Sequence, residues 1–283
     1  MSFLVVLFVL GLRQFSKAAE PAAMVAVLMR RWRDSWLERA TQEGWGRRAA
    51  LVFVVLPPVL LILALALASA GVWHGLWSAV VSLVVMLLVL LDRTQPDVLA
   101  REQAAWQQAD ENFQEILRNA ESDTVYQAAS NEFVRARQSL LAEQLRELFA
   151  PLFWFLLLGP VAAIAYYFLR VAAERAELAE NGAEQLLYYA NWPVVRLLGL
   201  SFALAGDFTT AWQRWREQIF RKEMPAIEFL DGCAAEAQIV KLVEPGETKP
   251  GAVLSIALQT VAALLHRTLI IWIVILALHT LWP

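Results

Sequence analysis

From Ala49 to Leu91 the chain runs for 43 residues without a single Asp, Glu, Lys or Arg. A soluble domain does not need a run of that length, whereas a helix crossing the hydrocarbon core of a bilayer needs about 20 apolar residues. The run is long enough for two crossings, joined at Gly71–Gly75, where Trp73, His74 and Trp77 cluster. Tryptophan favours the headgroup boundary because its ring is apolar while its N–H needs a partner. Pro57-Pro58 is expected to kink the first crossing near its start. Composition agrees: 59% of residues are hydrophobic, 18% are charged and the mean hydropathy is +0.49. The expected class is all-α: a polytopic membrane protein, a helical bundle with amphipathic cytosolic helices.

The apolar stretch Phe3–Leu12 is too short to span and lacks the basic flank of a cleavable signal, so it inserts partway or packs on the bundle. Residues 13–48 carry eight Lys/Arg against four Asp/Glu, and the Gly71–Gly75 turn carries no Lys or Arg. Positive flanks stay inside, which puts residues 1–48 (an apolar stub and a basic segment) and the far flank of the 49–91 hairpin in the cytosol. Residues 92–147 read as a cytosolic helical hairpin. Leu99, Trp106, Phe113 and Ala120 recur every seven residues with Ala109 and Ile116 in the same stripe, Ser122-Asp123-Thr124 supplies a break, and Ala129, Phe133, Ala136 and Leu140 follow at helical spacing. Such stripes are packing faces.

Residues 148–170 hold "FAPLFWFLLLGP", an uncharged block that runs on to Leu169, with Gly159-Pro160 at its middle. It is either one kinked span or a re-entrant segment that returns to the cytosol. The region 171–251 is helical and expected to be cytosolic, since Arg170–Gly251 holds nine basic and twelve acidic residues and nothing basic follows the last apolar run. Within it Phe208, Trp212, Trp215 and Ile219 form one helical face, Pro225 suits a first turn, and Leu230, Cys233, Ala237 and Val240 form the next face. "VEPGETKPG", residues 243–251, is a linker. The apolar run in "NWPVVRLLGLSFALAGDF" is too short to span, has Gly199, Ala203 and Gly206 for close helix approach, and contains Arg196, which needs an acidic, phosphate or carbonyl partner. Residues 252–283 form a C-terminal helix ending in a membrane span, entered near Arg267.

"LFAPLFWFLLLGPVAAIAYYFLR", residues 148–170, followed by "NWPVVRLLGLSFALAGDF", residues 191–208, resembles the AmpE family of bacterial inner-membrane proteins, which belongs with the CbiB/CobD proteins of cobalamin biosynthesis. In that superfamily an "AP…G…Y" segment precedes an "N..PARL"-like one. Ala150, Pro151, Gly159, Tyr166, Asn191, Pro193, Arg196 and Leu197 match those positions here. The cobalamin enzymes also carry an early "GDP…HPV" stretch and a late "SPNAG" motif; this chain has neither, and its three histidines are His74, His266 and His279. The resemblance therefore implies the AmpE branch: a regulatory or sensory membrane protein of β-lactamase induction, linked to peptidoglycan recycling. Its implied partners are the lipid bilayer and either an AmpD-type cytosolic amidase or a cell-wall-derived anionic ligand, with an oligomer left open. The alternative is a membrane-bound, amide-forming enzyme of the CbiB/CobD type.

The candidate ligand site comprises Pro151, Trp154, Gly159, Pro160, Tyr166, Arg170, Asn191, Pro193, Arg196 and Asp207, pictured as a membrane-level pocket in which Arg196 meets an anionic ligand or Asp207. No catalytic residue is assigned and no cofactor or metal is expected: there is no P-loop, no Cys/His cluster, and lone Cys233 reads as a small buried residue. A net charge of −3 argues against nucleic acid.

Overall fold

The computed structural model describes residues 2–15, 20–42, 47–68, 76–91, 99–104, 122–221, 224–237 and 250–281. The described residues are helical apart from short turns, so the fold is all-α. The expected Gly71–Gly75 turn, most of the Leu99–Ala120 stripe and the 243–249 part of the linker lie outside them. The chain divides into two compact units: residues 1–94, 146–194 and 275–283 form one, residues 95–145 and 195–274 the other.

The first unit begins with α1 (Ser2–Phe15), α2 (Glu20–Gln42), α3 (Arg47–Ala68) and α4 (Leu76–Leu91). α1 packs on α4, burying Val5, Val6 and Val9 while Leu7 and Phe8 stay exposed. At about 1.5 Å per residue α1 is roughly 21 Å long, short of a crossing. α3 carries Ala49–Leu67, one of two helical stretches among the described residues long and apolar enough to cross a membrane; the other is Ser255–Leu278. α4 carries 16 uncharged residues, about 24 Å of helix; the rest of the expected second crossing lies outside the described residues.

Pro57 and Pro58 sit in the middle of α3 rather than near its start, because the helix already begins at Arg47. Proline has no N–H, so Pro58 leaves the Val54 carbonyl without its usual helical donor. The indole N–H of Trp32, on α2, donates to that carbonyl at 3.3 Å.

After a π-helical turn at Leu145–Phe149, the uncharged block forms α6 (Ala150–Leu158) and α7 (Pro160–Ala173); α5 (Ser122–Gln144) belongs to the second unit. Gly159 separates α6 from α7 with φ +81, a conformation side chains other than glycine's rarely tolerate, and Pro160 then opens the new helix, where a missing N–H costs nothing. α6 packs back against α7, and α7 packs on α3 and α4. Ala50, Leu51 and Val54 at the start of α3 share one apolar cluster with Ala172, Leu178 and Ala183. A second π-helical turn at Ala179–Ala183 leads into α8 (Glu184–Ala205), whose residues up to 194 belong to this unit.

The second unit takes the rest of α8, then α9 (Phe208–Gln218), α10 (Ala226–Ala237), α5 and most of α11 (Pro250–Leu281). The close approach read from small residues is present. A Cβ on Gly199 would meet the Phe229 ring at 2.8 Å and Cys233 Sγ at 3.3 Å, and one on Gly206 would run into the Ala237 backbone. α5 is tied to α10 by Arg137, which grips Asp231 through both carboxylate oxygens at 2.6 and 3.1 Å. α11 is one unbroken helix through Arg267, and its Trp272 indole donates to Ser201 on α8 at 2.9 Å.

Candidate functional site

The sequence-selected residues divide between the units. Pro151, Trp154, Gly159, Pro160, Tyr166, Arg170, Asn191 and Pro193 lie in the first, Arg196 and Asp207 in the second. Within the first unit the α6–α7 block meets the early part of α8. The Tyr166 hydroxyl donates to Asn191 Oδ1 at 2.8 Å, with both residues buried, and the Trp154 indole donates to the Ala190 carbonyl at 3.3 Å. The two contacts fix α8 against both arms of the α6–α7 pair. Pro193, one helical turn on, leaves the Tyr189 carbonyl without its helical donor and so loosens the ladder beside these contacts.

Pro151 is buried in the first turn of α6, where its missing N–H is tolerated, and Gly159 and Pro160 form the turn between the arms. Arg170 is buried near the end of α7, its guanidinium 5.3 Å from the Tyr167 ring centroid. At that end lies a charge cluster that sequence reasoning missed. Buried Arg33 of α2 donates to the Val171 carbonyl at 2.8 Å and to Glu174 at 2.9 Å, and its Nε donates to Asp34 at 3.0 Å. Arg175 closes on Asp34 at 2.9 Å. Burial alone would push the Asp34 carboxyl up; hydrogen bonds and charge from Arg175 and Arg33 outweigh it and hold the group below the usual carboxylate range. The same bond from Asp34 raises Arg175 further. Residues some 140 positions apart in sequence leave no local signal for this pairing.

In the second unit Arg196 takes the carbonyl partner that was one of the three expected kinds. Its Nε donates to the Ile219 carbonyl at 2.9 Å and an Nη to that of Arg221 at 3.0 Å, while the guanidinium lies 4.3 Å from the Phe229 ring centroid. The negative end of α9 is a natural seat for a cation. Asp207 caps α9 by accepting from the Thr209 N–H at 2.9 Å, and its own N–H donates to Ala237. Both residues thus have structural partners inside their unit. Beside them Phe208, Trp212 and Trp215 stack in series, and the Trp215 indole donates to the Arg196 carbonyl. Cys233 is buried under Gly199, as expected of a small buried residue, and that burial pushes its thiol up to about 12.

No family model, curated protein or solved structure matches this chain.

Proposed function

We propose that this chain is an AmpE-like, multi-pass inner-membrane regulatory protein of β-lactamase induction and peptidoglycan recycling, acting through a cytosolic partner or an anionic ligand. The observation that carries the reading is the meeting of the two resembling segments. Tyr166 and Asn191, 25 positions apart and both picked from the family pattern, share a buried hydrogen bond. Tyr166 on α7 and Asn191 on α8 are thereby joined into one buried locus, while Arg196 of the same pattern has its partners in the second unit.

Membrane residence draws support from the surface of α3. Val52, Phe53, Leu56, Leu60, Leu61 and Leu67 are all exposed, an arrangement costly in water and favourable in lipid. Positive-inside then sets the basic α2 segment in the cytosol. The partner is a cytosolic amidase of the AmpD type or a cell-wall-derived anion, read at the cytosolic ends of these helices.

A clean gene deletion tests the proposal. The expected result is altered β-lactamase inducibility, or altered muropeptide pools, under an inducing β-lactam. Unchanged inducibility and unchanged pools with every inducer tried would remove the regulatory reading.

A further inference from the structure

We propose that the α6–α7 pair is a half-inserted wedge: both of its feet stand on the cytosolic face and its leucine tip lies among the acyl chains past the bilayer midplane. The inference deepens the membrane reading above and rests on it.

Three observations within the first unit carry it. The first is length. The first arm is helical back into α5, but its uncharged part from Leu148 to Leu158, after Arg146 and Glu147, is only about 16 Å long. α7 has 14 residues, about 21 Å, so neither crosses a hydrocarbon core of about 30 Å, and because they fold back on each other their lengths do not add. The second is register. α3 and α7 pack together with the start of α3 (Ala50, Leu51, Val54) beside the end of α7 (Leu169, Ala172, Ala173), so they run antiparallel. Counting back from Ala173 to Pro160 puts the turn roughly 20 Å along α3 from Ala50. The apolar window of α3 holds 19 residues, close to 28 Å. The turn therefore lies beyond the middle of that window and several ångströms short of its far end.

The third observation is the gradient of burial and charge along the wedge. At the feet Phe149, Ala150, Val171 and Ala172 are fully buried, with Arg146, Glu147, Arg170 and Glu174 nearby in sequence. At the tip Leu157 and Leu158 are 59% and 65% exposed, and no charged residue occurs between Phe149 and Leu169. Water is a poor home for two adjacent leucines on a glycine–proline turn. Acyl chains at the depth fixed by α3 suit them. The feet carry the markers of a headgroup layer: Trp32 and Trp36 pack at Val54 and Phe53, and the Arg33–Asp34–Glu174–Arg175 cluster sits at the end of α7.

The test uses the full chain in a Cys233→Ala background, reconstituted into sealed vesicles. Single cysteines replace Leu158 at the tip, Leu61 as a reference on the exposed face of α3, and Arg146 and Glu177 at the feet. A nitroxide at 158 should match one at 61 in oxygen collisions and be several-fold better protected from a water-soluble nickel chelate than one at 177. A membrane-impermeant maleimide should modify 146 and 177 from the same side. Modification of 146 and 177 from opposite sides would make the block a full crossing and overturn the wedge. A label at 158 open to nickel, or shielded from oxygen and nickel alike, with 61 still in lipid, would also overturn it, the tip then being in water or covered by protein. If 61 itself is open to nickel, the membrane reading falls as well.

Discussion

Replacing Arg196 by Met keeps the apolar stem and removes the guanidinium, and the structure fixes what is lost. Two hydrogen bonds to the Ile219 and Arg221 carbonyls go, at 2.9 and 3.0 Å, together with the contact with the Phe229 ring. Hydrogen bonds from a charged donor contribute roughly 1.5–3 kcal/mol each, and a partly desolvated cation over a ring about 0.5–2 kcal/mol. Part of this returns, because desolvating the arginine costs several kcal/mol that Met does not incur. The net expectation is a loss of about 2–4 kcal/mol, or roughly 5–15 °C in melting temperature for a chain of this size. Arg196→Lys should fall between the two, since one ammonium cannot serve two carbonyls and a ring in the planar geometry that guanidinium allows. Intrinsic tryptophan fluorescence during heating in detergent reads this directly, Trp215 being bonded to the Arg196 carbonyl. An Arg196→Met protein that melts within about 1 °C of the parent would refute the structural role. If that protein also failed to complement a deletion strain, Arg196 would become a ligand residue.

Gly206→Ala should cost about 1–3 kcal/mol, because the new methyl meets the Ala237 backbone, which cannot rotate aside, and the Asp207–Ala237 bond is strained with it; thermal melting checks this. Cys233 should react with a water-soluble thiol reagent at pH 8 only after unfolding, a difference seen by comparing labelling with and without denaturant. Asp34→Asn should lower the melting temperature near neutrality and make little difference in acid. A carboxylate whose folded pKa lies below its unfolded value stabilises the fold above the unfolded pKa, and that contribution disappears as pH falls through the folded one. The melting difference between variant and parent should therefore hold from pH 7 down to about pH 5 and close below about pH 4.

What the sequence discloses here is what a few adjacent residues decide. Pro160 cannot donate and Gly159 can take a positive φ, so the break between α6 and α7 is written in two letters. Arg196, alone in an apolar run, announces that it needs a partner, and carbonyls were among the possibilities. Which carbonyls depends on where α9 ends, and that is a fact about Ile219 and Arg221, some two dozen residues away. Asp207 looked like an acid for Arg196, but its position just before Phe208 makes it a helix cap, a local signal that could have been read. The Arg33–Glu174 cluster and the Arg137–Asp231 grip could not. Each joins an ordinary surface-type charge to another far along the chain, and only the packing of α2 on α7, or of α5 on α10, puts them in contact.

The regulatory reading rests on the locus where Tyr166 meets Asn191, and one measurement bears on it most directly. The double variant Tyr166→Phe, Asn191→Leu removes both partners with little change of shape, which spares the fold the cost of an orphaned polar group. Expressed in a deletion strain, it should reach the membrane fraction at the parent's level and fail to restore β-lactamase induction by a β-lactam, while the parent gene restores it. Restoration of induction by the double variant to the parent's level would contradict the account.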